Sequence, residues 1–196
     1  MMQMVEADVE SVEVRLRAGE IACVGCGGEL RPWGYARWRT LREHGRPVRL
    51  RPRRSRCQSC RASHVLLPTL VLLRRADLVA VIGAALVARH VERRTRAEVS
   101  GAAGAPWDTV RGWLRRFGER AVEIRAEFAT LAHRWDAELG SIEPRGSAVL
   151  DALEAIGVAA AAAVRRFGPT PSWTLVAGAS RGRLLSNTSS PVPAGG

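Results

Sequence analysis

The chain lacks any apolar run long enough to cross a bilayer. Its longest apolar stretches run from Leu78 to Ala88 and from Ala155 to Val164, well short of the ~18 residues that a membrane-spanning helix needs. The opening residues, MMQMVEADVE, also lack the basic segment and hydrophobic stretch of a secretory signal. We therefore expect no membrane association and a cytoplasmic protein, where paired cysteines are metal ligands or redox centres more often than disulfides.

Lysine is absent, and all 30 basic side chains are Arg. A GC-rich coding sequence accounts for this choice, so the choice itself carries no functional weight. The excess of positive charge is informative about function, because only 19 acidic residues oppose the 30 Arg and the net charge is +11. Residues 1–14 carry −4, 15–61 carry +10, 62–120 carry +5 and 121–196 carry zero. Such clustered charge predicts a polyanion partner, most often nucleic acid, although a solubilising face is the alternative.

Only four cysteines are present, and they form two C-x-x-C pairs, CVGC and CQSC, with thirty residues between them. Two such turns brought together give four thiolates around one ion, the closed coordination of structural zinc. The predicted ligands of one zinc per chain are Cys23, Cys26, Cys57 and Cys60. A redox pair or two disulfides are alternatives, and His64 is close enough in sequence to replace one thiolate. Four thiolates leave no open position for catalysis.

The segment between the cysteine pairs is rich in Arg and aromatic residues. In RPVRLRPRRSRC, Val48 and Leu50 alternate with Arg, which predicts a strand that presents several guanidinium groups on one side and ends near Pro52. The predicted phosphate-holding residues are Arg49, Arg51, Arg53 and Arg54. We expect the aromatic residues of this segment, Trp33, Tyr35 and Trp38, to pack inside the small domain rather than to stack on bases.

A helix-turn-helix pattern follows in TRAEVSGAAGAPWDTVRGWLRRF. The composition predicts helices over 75–91, 94–103 and 107–118, the last of which can continue to His133. In the third helix Val110, Trp113, Leu114 and Phe117 recur at helical spacing and form one apolar face. The opposite face supplies the predicted DNA-binding residues, which are Trp107, Arg111, Arg115 and Arg116. An ordinary helical hairpin with solvated Arg is the alternative.

Together these patterns predict an α+β chain, in which a small β zinc ribbon precedes a mostly helical helix-turn-helix domain and C-terminal helices. The predicted divisions are a tail or short strand (1–19), the ribbon (20–68), the helix-turn-helix domain (74–134), a helical segment (147–185) and a disordered tail (186–196). The helical segment contains an Ala-rich helix from Ser147 to Phe167.

The ribbon followed by the hairpin resembles the N-terminal DNA-binding region of bacterial insertion-sequence transposases. The residues that carry this resemblance are CVGCGGELRPWGYARWRT, RSRCQSCRASHVLLP and DTVRGWLRRF. Over residues 20–192 the chain is also similar to an uncharacterised family of short, Arg-rich proteins from high-GC bacteria. The resemblance implies binding to terminal inverted repeats and identifies the four cysteines as zinc ligands. The nuclease domain of a transposase is missing, because after Ala121 only Asp136 and Asp151 are aspartates and no strand-rich pattern surrounds them.

We therefore expect a non-enzymatic, zinc-stabilised protein that binds double-stranded DNA in the nucleoid. It would act as a transcriptional regulator, a transposon accessory factor or a truncated relic. An RNA-binding ribbon protein is one alternative, since Arg on edge strands and exposed aromatic rings also suit RNA. A protein-interaction module that partners a transposase or integrase is another. The sequence leaves the oligomeric state open.

Overall fold

A computed structural model describes residues 1–186 of the 196-residue chain and shows an α+β fold. The predicted disordered tail therefore lies, apart from Ser186, outside the described residues. The strands are β1 (Met2–Val5), β2 (Leu30–Tyr35), β3 (Arg39–Glu43), β4 (Arg46–Leu50), β5 (Arg53–Cys57) and β6 (Ser63–Pro68). The helices are α1 (Val9–Ala18), α2 (Val79–His90), α3 (Arg96–Ala103), α4 (Trp107–Gly118), α5 (Ala121–Trp135), α6 (Ala148–Phe167) and α7 (Ser172–Ala179).

The cysteine-containing region is built on a four-stranded sheet in the order β1-β6-β5-β2. Strand β1 runs parallel to β6, whereas the β6–β5 and β5–β2 pairs are antiparallel. In the β2–β5 pair Leu30 lies opposite Cys57, so the sheet places the second cysteine pair beside the start of β2. On β6, Leu66 and Leu67 are both buried and belong to different apolar cores, as expected of successive residues on opposite faces of a strand.

The N-terminal segment contains the short strand β1, which the prediction for residues 1–19 allowed, and also the helix α1, which it missed. Asp8 caps α1 by accepting from the backbone N–H groups of Glu10 and Ser11, and Gly19 ends the helix with a left-handed φ of 81°. Val12 and Leu16 are buried at i, i+4. The alternation of Val with polar residues in VEVRLR favours a strand, but Asp8 and Gly19, which flank α1, are helix-capping signals.

Strands β3 and β4 form a separate two-stranded hairpin that packs on the helices. Its turn residues, His44 and Gly45, both have positive φ, which matches a two-residue hairpin turn of type I′. Arg42 makes two 2.8 Å hydrogen bonds to the buried carboxylate of Asp77, just before α2. His44 Nδ1 lies 2.8 Å from the Ala102 carbonyl oxygen at the end of α3.

The helices form the larger apolar core, and most of them begin and end near the predicted positions. Helix α4 has the predicted bounds, and its apolar face is buried at Val110, Trp113 and Phe117. Thr95 and Glu98 form a capping box at the start of α3. Gly104 ends α3 with a φ of 62°, and a Cβ there would lie 2.3 Å from the backbone of the β3–β4 turn. A residue without a side chain is therefore required where the hairpin meets the helices.

The C-terminal helices complete this core. The predicted Ala-rich helix is α6, which packs along α5 and buries alanines along its length. Small side chains allow the two helices to approach closely. Helix α7 contributes Trp173, whose ring lies where a Cβ on Gly83 would be, at 2.0 Å. Among residues 1–186, no helix has the length and apolar character that crossing a membrane requires.

Candidate metal centre and candidate nucleic-acid interface

The sulfur atoms of the four cysteines lie together at one end of the four-stranded sheet. All four are within 4.8 Å of one another, with Sγ to Sγ distances of 3.8 Å between Cys23 and Cys60 and 3.5 Å between Cys26 and Cys57. Cys23 and Cys57 are buried, whereas Cys26 and Cys60 are exposed, and all four are free thiols. The cluster therefore has an apolar side toward the core and an open side toward solvent.

Backbone turns hold each cysteine pair in place. Gly27 N–H donates to the Cys23 carbonyl, and Cys57 N–H donates to the Ala62 carbonyl, both at 2.9 Å. Gly27 has a φ of 73°, which favours glycine. At Gly28 a Cβ would lie 2.3 Å from Ser59 Oγ and 3.2 Å from Cys57 Sγ. The glycines that follow the first pair thus permit the second pair to approach.

This arrangement fits one metal ion. A tetrahedral ion with bonds of ~2.3 Å to sulfur separates its ligands by about 3.8 Å, close to the two distances above. Hydrogen bonding from the Cys60 backbone N–H lowers the pKa of Cys57 to about 6. The Ala62 N–H lowers the pKa of Cys60, but the neighbouring sulfurs of Cys26 and Cys57 outweigh it and raise that pKa to about 11. A thiolate is thus already favoured at Cys57, and thiolates are the form that binds metals.

His64 lies behind the cluster and not within it. Its side chain is fully buried, and Nε2 is 3.3 Å from Cys23 Sγ. Burial lowers the pKa of His64, and Nδ1 has no hydrogen-bond partner among the described residues. A neutral ring with its proton on Nε2 suits both observations, because the N–H then donates to sulfur and no donor is left unpaired. His64 therefore orients the Cys23 thiolate.

Of the predicted DNA-binding residues of α4, two have exposed side chains and two have partly buried side chains. Arg111 and Arg115 are exposed and form surface ion pairs with Asp108 at 3.0 Å and Glu119 at 2.5 Å. Arg116 is half-buried and donates to the Gly112 carbonyl within its own helix. Trp107 is partly buried against the helical core, with the Arg96 guanidinium 5.5 Å from its ring centre. Two of the four residues, Arg111 and Arg115, thus present their guanidinium groups at the surface.

The predicted stripe of Arg on a single strand is wrong in its geometry. Strand β4 ends at Leu50, and Pro52 separates it from β5, which belongs to the other sheet. Arg49 and Arg51 are exposed, and Arg54 is half-buried. Arg53 is only 16% exposed and binds Glu13 of α1 and the Gly34 carbonyl. The end of the strand near Pro52 was predictable from the sequence. The passage of the chain from one sheet to the other was not.

The prediction that Trp33, Tyr35 and Trp38 pack inside the small domain is also wrong. Their exposed fractions are 50%, 50% and 54%. Guanidinium groups lie 4.5–5.6 Å from the ring centres in five contacts. We call this surface the Arg–aromatic face; its members are Trp33, Tyr35, Trp38, Arg49, Arg51, Arg53 and Arg56. The alternation of aromatic and basic residues in the sequence was the signal for it.

Comparison with protein-family models, curated proteins and solved structures gives no match to this chain. Its function is therefore argued from its own residues.

Proposed function

We propose that this chain is a non-catalytic, zinc-stabilised protein that binds double-stranded DNA. In this proposal the α3–α4 hairpin acts as a helix-turn-helix, with α4 as the helix that enters the major groove. The cysteine cluster holds one structural zinc. A role as a transposon accessory factor or regulator is part of the same proposal, and an adjacent transposase or integrase gene would support it.

The observation that carries the proposal is the division of α4 into a buried face and an Arg-bearing face. Val110, Trp113 and Phe117 fix the helix on the core, and Arg111 and Arg115, one turn apart, remain in solvent. Guanidinium groups on such a face can pair with guanine edges or phosphates. Their surface ion pairs with Asp108 and Glu119 are worth roughly 0–1 kcal/mol, so DNA can replace these acidic partners at small cost.

The β3–β4 hairpin extends this surface. Its turn contacts the end of α3 and the Gly104 turn that precedes α4. Arg46, the first residue after the hairpin turn, is exposed. An exposed arginine at the tip of a hairpin beside a groove-binding helix can contact the adjacent phosphates. Gly45 and Gly104 face each other in this contact, where a Cβ on Gly104 would lie 2.3 Å from Gly45 N.

The metal has an indirect part in this proposal. The loop between the two cysteine pairs contains the whole β3–β4 hairpin. A structural zinc closes that loop at its base, and the Arg42–Asp77 pair attaches its far part to the helices. Zinc binding would therefore position the hairpin and α4 on one surface, while four thiolates leave it no open position for chemistry.

The test replaces both exposed arginines of α4 by alanine in the full-length, zinc-loaded chain. Arg111→Ala with Arg115→Ala should weaken duplex binding at least tenfold and make the slope of log K against log salt shallower by about 2, since each phosphate contact contributes ~0.9. The matched control is Arg134→Ala with Arg166→Ala, two exposed arginines on α5 and α6. Equal slopes for the two double variants would reject α4 as the DNA-binding helix and favour a protein-interaction module.

A further inference from the structure

We propose that the Arg–aromatic face is a separate site for unpaired nucleotides of a DNA strand. This inference goes beyond duplex binding by α4 and does not depend on it. The face lies on β2, on the loop before β3 and on β4 and β5. It combines two groups that unpaired nucleotides need: flat π surfaces for the bases and guanidinium groups for the phosphates.

The rings are positioned by a specific irregularity in β2. The β2–β5 register shifts between Pro32 and Tyr35, and Gly34 has a φ of 77°. This is the behaviour of a β-bulge, which redirects neighbouring side chains. Trp33 and Tyr35 flank the bulge, and both remain half-exposed. Leaving three large rings half-exposed forgoes the stability that their burial would contribute, and the fold alone does not explain this exposure.

Two guanidinium groups of the face lie close to its aromatic rings. Arg49 lies 4.8 Å from the Trp38 ring centre, and Arg51 lies 4.9 Å from that of Tyr35. The attraction between a guanidinium and a ring does not require a hydrogen bond from its N–H groups. Within residues 1–186, neither Arg49 nor Arg51 forms an ion pair with a carboxylate. Both can therefore bind phosphate oxygens.

The local charge favours a polyanion. From Leu30 to Arg61 the sequence has 11 Arg and a single acid, Glu43, at the far tip of the β3–β4 hairpin. A carboxylate on another element, Glu13 of α1, is bound by Arg53, and hydrogen bonding and charge from Arg53 lower its pKa. Glu13 is thus ionised but neutralised, and the positive field of the face is not cancelled.

Exposed rings distinguish an unpaired strand from a duplex. In a duplex the base faces are stacked on one another, so side chains on a protein surface reach only base edges and phosphates. In an unpaired strand each base has a free face that can stack on an aromatic ring or on a guanidinium plane. A surface with three half-exposed rings therefore fits unpaired bases better than it fits a groove.

The experiment measures binding of full-length, zinc-loaded protein to a fluorescent oligo(dT) of about 12 nucleotides, at fixed salt, by anisotropy. Tyr35→Ala with Trp38→Ala should weaken binding by tenfold or more, because each stacked base contributes strongly. The matched control is Phe167→Ala, which removes a ring that is 63% exposed and also has an Arg beside it, Arg166. This control should change affinity less than twofold.

Two further binding measurements distinguish the Arg–aromatic face from α4. The Arg111→Ala Arg115→Ala variant should retain oligo(dT) binding, and the Tyr35→Ala Trp38→Ala variant should retain duplex binding. If the double aromatic variant loses metal or melts early, Trp38→Ala alone replaces it, since that ring is the most exposed of the three.

Three results would overturn the proposal. They are oligo(dT) affinity unchanged in the aromatic variants, an equal loss in the Phe167→Ala control, and oligo(U) bound at least tenfold more tightly than oligo(dT), which would make the site one for RNA.

Discussion

The cysteine-containing region and the helical region are stabilised in different ways. The first has a small core of eight buried residues, two of which are cysteines of the candidate metal site. The second has an extensive apolar core that takes in residues from all six helices α2–α7. A small core rarely suffices on its own, and metals commonly supply the missing stability. We therefore expect the cysteine region to depend on a bound metal and the helices to depend on apolar burial.

The two regions are nevertheless connected, because some residues of the predicted ribbon (20–68) pack into the core of the helical region. Leu41 of the β3–β4 hairpin and Leu67 of β6 belong to the helical core, while Leu66 belongs to the small core. Residues 20–68 therefore do not share one core, although the cysteine pairs enclose most of them. The comparison predicts that loss of metal unfolds the small core first and leaves the helices largely intact.

The largest effect should come from Cys57→Ser, which removes the fully buried ligand. Structural zinc sites contribute roughly 10–16 kcal/mol of apparent binding free energy, so the variant should lose its zinc and the order of the small core. Metal analysis should fall from one zinc per chain to near zero, and amide exchange should become fast in β1, α1 and β2. Gln58→Ala, an exposed neighbour, is the control. Retention of zinc by Cys57→Ser would contradict the cluster as the binding site.

A smaller effect should come from Arg42→Ala, which tests the junction of the two regions. The variant leaves the Asp77 carboxylate, 2% exposed, without the guanidinium that donates to both its oxygens. An unpaired buried carboxylate should cost about 2–4 kcal/mol in the free energy of unfolding, measured by urea denaturation. Arg37→Ala, an exposed arginine, should cost under about 0.5 kcal/mol. The Arg42→Ala Asp77→Ala variant should recover part of the loss, and simple additivity would argue against coupling.

The smallest effect should come from Glu13→Gln, which tests the attachment of α1 to β5. Hydrogen bonding to Arg53 lowers the pKa of Glu13 from its ordinary value of 4.5. The pair should therefore contribute about 1 kcal/mol above pH 4.5, and that contribution should be lost as the pH falls through the lower folded-state value. Denaturation of wild type and variant at several pH values should show the difference shrinking in acid. Val14→Ala, an exposed position on the same helix without a titratable group, should show no such trend.

The features that could be predicted from sequence are those with local signals. The C-x-x-C spacing predicted the cysteine cluster, and the apolar period of α4 predicted that helix. The packing of the β3–β4 hairpin on the helices was not predictable. Arg42 and Asp77 are 35 residues apart, and no local sequence pattern indicates that they pair. The exposure of Trp33, Tyr35 and Trp38 was missed because a strand pattern does not reveal which face another element covers. Helix α1 was missed although its caps were visible.

The most direct measurement is the affinity of the full-length, zinc-loaded protein for duplex DNA as a function of salt. If Arg111, Arg115, Arg46 and a further exposed arginine bind phosphates, affinity should fall on the order of a hundredfold between about 50 and 200 mM salt. An affinity that stays flat over this range, or no measurable duplex binding at the lower concentration, would contradict the account.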